Sequence, residues 1–225
     1  MTRKRQRIIC VVEGDGERSA VPTIIDRMLA RLRRGRRIFA DPERILCAHN
    51  GDRITQPFDA KRQLGIEYYV ARAVRERPAA VVVIVDAEER CVARTAAREP
   101  PLGPELLGRA RAVAGDIPVA VVVANRMFEA WFLADFHSFR SRGVLPAGAR
   151  FQHWRTPEAV GGCKGWLEAA LGVKYRETVD QGRLAAAVSL PLRRHMRARA
   201  PSFRKLYCEI ERISRSRARA QRGGA

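Results

Sequence analysis

Carboxylates follow three apolar runs in this chain, and their positions set the chemistry it could do. Ile8-Ile9-Cys10-Val11-Val12 leads into Glu13-Gly14-Asp15-Gly16-Glu17, and Val81-Val82-Val83-Ile84-Val85 into Asp86-Ala87-Glu88-Glu89. Pro118-Val119-Ala120-Val121-Val122-Val123-Ala124 is followed within a few residues by Glu129. Unbroken β-branched runs of this kind read as strands buried on both faces. Aspartate and glutamate are rarely buried without a partner, so acids clustered at strand mouths ask for a cation. Hard oxygen donors suit Mg²⁺ or Mn²⁺, which would bind one or two carboxylates together with a substrate phosphate. Asp86 and Glu88 are two apart and point the same way while the chain stays extended. The candidate metal ligands are therefore Asp86, Glu88, Glu13 and Glu129. Such an ion polarises a phosphoryl oxygen and stabilises a leaving oxygen. Glu13 is the candidate catalytic residue, as a general acid or base near the scissile group. The simpler alternative is that these acids cap helices and solvate strand ends. Their agreement on one location favours a single site.

For those residues to meet, the strands must be parallel neighbours. Strands are expected at 8–12, 44–48, 81–85 and 118–124. Helices are expected at 19–34, 58–77 and 104–114, and another begins after Asn125. Val21, Ile24, Ile25, Met28, Leu29 and Leu32 keep the 3.6-residue period in the first helix. The order βαβαβαβα argues for a parallel sheet covered on both faces, with right-handed crossovers. The fold class expected is thus α/β, a Rossmann-like three-layer sandwich on a mainly parallel four-stranded sheet. Strands one and three are adjacent in the common doubly wound order, so their ends would form the ligand crevice at the switch point. Beyond residue 140 the periodicity weakens. Residues 1–140 are read as the α/β domain, 141–215 as a basic helical extension with helices at 182–198 and 202–215, and 216–225 as a flexible tail.

Charge points to the partner. The 225 residues carry 43 Lys+Arg against 24 Asp+Glu, a formal net charge of +19. Residues 141–225 hold 18 basic and 6 acidic residues, so most of the excess lies in the extension. A balance this positive suits a polyanion, most often nucleic acid. Lys164, Lys174, Gln181, Arg204 and Lys205 are candidates to hold phosphates. Tyr175, Trp154, Trp166 and Phe203 could stack on bases or fill the core, the commoner fate of aromatics. The five cysteines lie apart, without a C-x-x-C pair, and read as reduced thiols of a cytoplasmic protein. No apolar run approaches the roughly 18 residues of a membrane span, and the basic start precedes too short an apolar run for a signal peptide.

Other chemistries fit poorly. The loop Glu13-Gly14-Asp15-Gly16-Glu17-Arg18-Ser19 lacks the Gly-Lys-Ser/Thr ending of a Walker loop and the full dinucleotide fingerprint, and its acids would repel a pyrophosphate. Glu17 is either a further metal-site acid or a first-turn acid favoured by the helix dipole. The histidines show no metal-ligand spacing. No serine sits in a G-x-S-x-G elbow.

The Glu-Gly pair after the first strand and the acidic pair after the third resemble the Toprim domain of topoisomerases, primases and OLD-type nucleases. The chain is more closely similar to an uncharacterised bacterial Toprim-like family of about this length. The resemblance rests on Val12-Glu13-Gly14-Asp15-Gly16-Glu17, on Asp86-Ala87-Glu88-Glu89-Arg90-Cys91 and on Glu129-Ala130-Trp131-Phe132-Leu133-Ala134. Lys174-Tyr175-Arg176-Glu177-Thr178-Val179-Asp180-Gln181 and Pro201-Ser202-Phe203-Arg204-Lys205-Leu206 extend it over nearly the whole chain. It implies Glu13 as the general acid/base and Asp86 with Glu88 as the metal pair. Glu88 stands where Toprim domains usually have aspartate, and Arg90 where the closer family has an acid. The resemblance also implies an ABC- or AAA-type ATPase partner and a place in phage defence. Two functional readings follow: a Mg²⁺-dependent phosphodiester-cleaving enzyme on DNA or RNA, a toxin-like RNA cleaver included, or a module that binds nucleic acid or an ATPase without cutting.

Overall fold

The computed structural model describes residues 5–33, 38–87, 101–146, 148–149, 155–190 and 199–223, with 217–223 as backbone only. Strands β1 (Gln6–Val12), β2 (Ile38–Ala40), β3 (Leu46–Cys47), β4 (Ala80–Asp86) and β5 (Val119–Ala124) form one sheet in the order β2-β1-β4-β5. Every pairing is parallel. Two short pieces share one edge of β1: β2 pairs with its beginning, Gln6 opposite Ile38, and β3 with its end, Val11 opposite Leu46. β1 and β4 are neighbours, as the doubly wound order requires.

Helices α1 (Asp15–Arg31), α2 (Gly51–Thr55), α3 (Ile66–Arg75) and α4 (Leu102–Ala114) come with the strands. After β5 follow α5 (Ala130–Ala134), α6 (Phe136–Ser141), a 3-10 turn (Pro157–Ala159), α7 (Cys163–Leu171), α8 (Glu177–Ala187) and α9 (Pro201–Gly223). Strand side chains alternate between two cores, as the period of two demands. Ile8, Cys10, Val12, Val82, Ile84, Ala120 and Val122 enter the core shared with α1, α8 and α9. Ile9, Val11, Val81, Val83, Val85, Val121 and Val123 enter the core under α3 and α4. The protein is therefore a three-layer α/β sandwich with a fully parallel sheet.

Residues after 140 join α1 in one of these layers. Cys163, Leu167, Leu184, Phe203, Leu206, Ile210 and Ile213 are buried in the same core as β1, β4 and β5. Glu158 anchors the start of α9, accepting from Ser202 N at 3.1 Å and Ser202 Oγ at 2.6 Å, while Trp131 Nε1 donates to that hydroxyl at 2.7 Å. A carboxylate at a helix N-terminus satisfies its free amides and suits its dipole. Buried Asp135 similarly accepts from Ser189 N at 2.6 Å, beyond the end of α8.

Several boundaries differ from expectation, each for a local reason. The 58–77 helix starts only at Ile66, because Asp59 Oδ1 accepts from Lys61 N and Arg62 N, and Gln63 takes a positive φ of 59°. This side chain closes a turn in competition with the helix. α1 begins earlier, at Asp15, directly from the glycine loop. α8 begins at Glu177 and ends at Ala187, and 191–198 lie outside the described residues. α9 runs to Gly223, through most of the stretch expected as a tail. Among the described residues no helix is long and apolar enough to cross a membrane.

Candidate functional site

Parallel pairing brings the ends of β1 and β4 out side by side. Asp86 is the last residue of β4, and its backbone N–H donates to Glu13 Oε2 at 3.0 Å. The Glu13 carboxylate occupies the space that a Cβ at Gly51, the first residue of α2, would fill. Glu17 turns back at the third position of α1, where its Oε2 accepts from Gly14 N at 2.6 Å. Glu129, 1% exposed, lies immediately before α5. It accepts from Gln181 Nε2 at 2.9 Å and from the Tyr175 hydroxyl at 3.5 Å. The sequence-level candidates Glu13, Asp86 and Glu129 thus share one carboxyl edge, and Glu17 joins them. Glu88, Trp154 and Arg90 lie outside the described residues.

Crowding these acids away from water disfavours their ionised forms. Burial pushes Glu17 up to about 7, with repulsion from Glu129 and Glu13 adding to it and the Gly14 amide opposing it. Asp86 is raised well above the usual aspartate range, first by burial, then by the charges of Glu13, Glu17 and Glu129, with the Phe128 amide opposing. Burial also raises Glu129, against the pull of Lys164 and the Gln181 hydrogen bond. Four carboxylates are therefore held within electrostatic reach at the switch point of the sheet.

The residues fit a hard divalent cation. The donors are all oxygens, the chemistry that Mg²⁺ and Mn²⁺ require. Among the described residues, no three of these acids bring oxygens within 4.8 Å of one another. Mg²⁺ does not need three, since it keeps several waters and uses one or two carboxylates. Gln181 Oε1 is buried without a hydrogen-bond partner on the same amide that holds Glu129. Glu13 and Asp86 would hold the ion, with Glu17 and Glu129 behind them.

The basic candidates separate into distinct roles. Lys164 pairs with Glu177 Oε1 at 2.7 Å and lies within electrostatic reach of Glu129 and Asp86. Lys174 and Arg204 are exposed, and Lys205 pairs with Glu209. Gln181, expected to hold a phosphate, is instead 1% exposed, packed against Gly16 and bonded to Glu129. It positions an acid from inside the fold. Tyr175 and Phe203 are buried and cannot stack on bases in this arrangement, whereas Trp166 is 41% exposed. The sequence reading missed Gln181 and Tyr175 as partners of Glu129, and the burial of Glu17. One signal was available for Gln181: it falls on the buried stripe of α8 with Leu184 and Ala185, where an amide needs a polar partner.

Fold and site together define a parallel α/β protein with a cluster of carboxylates at the carboxyl edge of its sheet. The chain belongs to the DUF4276 family, a domain of unknown function, whose family model matches residues 12–211. No curated protein and no solved structure matches it.

Proposed function

We propose that this protein is a Toprim-like, Mg²⁺- or Mn²⁺-dependent enzyme that cleaves phosphodiester bonds in DNA or RNA. The observation that carries the reading is the clustering of acids at the ends of adjacent parallel strands: the Glu13 carboxylate accepts the Asp86 backbone N–H, and the charges of Glu13, Glu17 and Glu129 all bear on the Asp86 carboxyl. A bound divalent ion would supply charge neutralisation at the phosphoryl oxygens. Glu13 and Asp86 would hold that ion. Glu13, as general acid/base, would exchange a proton with the attacking or leaving oxygen. Gln181 and Tyr175 hold Glu129 in place, and the Gly14 amide holds Glu17. The net charge of +19, concentrated after residue 140, supports a nucleic-acid substrate. The five scattered cysteines, without a C-x-x-C pair, support a reducing, cytoplasmic setting. An ABC- or AAA-type ATPase partner in phage defence completes the proposal.

The test is cleavage of plasmid DNA and of structured RNA by the purified chain under Mg²⁺ and Mn²⁺. Glu13→Gln and Asp86→Asn should each lower the rate by about 10²–10⁴-fold, with circular dichroism unchanged. Cleavage retained in the double variant would sink the proposal. Salt-sensitive binding without product under either metal, ATPase partner present, would make the protein a binding module instead.

A further inference from the structure

Beside the acidic crevice lies a group of different chemistry. Asp15 is the first residue of α1, Cys47 the last of β3, and His49 follows in a turn with a positive φ of 61°. Cys47 Sγ lies 3.7 Å from His49 Nδ1, and His49 Nδ1 lies 3.6 Å from Asp15 Oδ2. One ligand atom from each of the three falls within 4.8 Å of the others. We propose that Asp15, Cys47 and His49 form a metal site for a Zn²⁺-like transition ion, adjoining the carboxylate cluster but with its own ligands.

Geometry and donor chemistry support this together. Tetrahedral zinc with ordinary Zn–S, Zn–N and Zn–O bonds sets its S···N ligand edge at roughly 3.6 Å and its N···O edge at roughly 3.3 Å. The observed separations already approach those edges without an ion. The Cys47 thiol also donates to the Glu13 carbonyl at 3.6 Å, and it places a sulfur donor beside the imidazole and the carboxylate. A thiolate, an imidazole and a carboxylate select Zn²⁺ or a neighbouring late transition metal over Mg²⁺. Three protein ligands leave one tetrahedral position open, the pattern of catalytic rather than structural zinc. Two of the ligands, Asp15 and His49, line a cavity of about 400 Å³ with Gly14, Gly16, Tyr175 and Thr178. The open position is thereby offered to a water or to a small oxyanion. Binding releases the Cys47 thiol proton to solvent as the metal–sulfur bond forms.

Cobalt tests the site directly. The full chain, stripped with chelator, should take up one equivalent of Co²⁺ with a thiolate-to-cobalt charge-transfer band and the visible bands of tetrahedral cobalt. Zn²⁺ should bleach both, and excess Mg²⁺ should leave them. Cys47→Ser should abolish the charge-transfer band, and His49→Ala the tetrahedral bands. Asp86→Asn should keep the full spectrum, which separates this site from the magnesium crevice. The proposal is overturned by a wild-type spectrum without thiolate character, by a band surviving in Cys47→Ser, by tetrahedral bands surviving in His49→Ala, or by loss of the spectrum on adding Mg²⁺ or in Asp86→Asn.

Discussion

The Glu17 carboxyl, pushed up to about 7 from an ordinary glutamate value of 4.5, makes the metal-free protein sensitive to pH. The folded state holds this proton more tightly than the unfolded chain. The resulting stabilisation is complete below pH 4.5 and is lost as pH rises through about 7. Over that window Glu17 alone accounts for a change of about 3 kcal/mol, and Asp86 and Glu129 are shifted in the same direction. Urea unfolding in chelator should therefore give a less stable protein at pH 8 than at pH 5. Glu17→Gln should flatten the difference, because the amide oxygen can still accept from Gly14 without ionising. Mg²⁺ should restore more stability at pH 8, where it replaces the missing protons, than at pH 5. An unchanged pH slope in Glu17→Gln would contradict this account. At this scale the sequence was half legible. Glu13 and Asp86 stood out because each ends an unbroken apolar run. Gln181 and Tyr175 did not, because the carboxylate they hold lies about fifty residues earlier in the chain. Asp15, Cys47 and His49 form no motif, because it is the pairing of β1 with β3 that brings two distant stretches together.

Helices α1 and α8 cross closely because small residues face each other. A Cβ added at Gly16 would lie 2.5 Å from the Gln181 amide, and one at Gly182 would lie 2.9 Å from Ser19 Oγ. Arg27 of α1 also donates to the Ala185 carbonyl of α8 at 2.8 Å. The glycine loop thus does more than turn the chain after β1. It lets α8 deliver Gln181 to Glu129. Gly16→Ala should cost about 1–3 kcal/mol of stability and also displace Gln181, lowering metal-dependent cleavage. Thermal unfolding and the cleavage assay, run on the same variant, check both effects. The long strands and α1 were readable from apolar periodicity. β2, three residues long, was not, since so short a run carries no period. The late start of α3 escaped notice because Asp59 acts through a side-chain turn that apolar spacing does not record.

For the whole molecule, the +19 charge makes the proposed nucleic-acid binding one governed by counterion release. Affinity for a short duplex or single strand should fall steeply with salt. Lys174 is exposed and precedes Tyr175, a cavity-lining residue. Lys174→Ala should lower the logarithmic salt slope by about 1 and weaken binding evenly across sequences. Fluorescence anisotropy at stepped salt concentrations measures this, and a slope equal to wild type removes Lys174 from the interface. The basic excess after residue 140 was plain in the composition. Its carrier was not: these residues complete one layer of the sandwich, so the groups that hold Glu129 and those that meet solvent share the same helices.

That layer is also closed last. Among the described residues the strands end at Ala124, yet Ala120 and Val122 of β5 share a core with Phe203, Leu206, Ile210 and Ile213 of α9. Roughly 90 residues separate the two, which at about 5–20 residues per second of synthesis is roughly 5–18 seconds. During that interval α1 covers part of this face of the sheet, and the rest lacks the apolar side chains that α9 supplies. Aggregation and chaperone capture should therefore act most strongly on chains that stop short of α9.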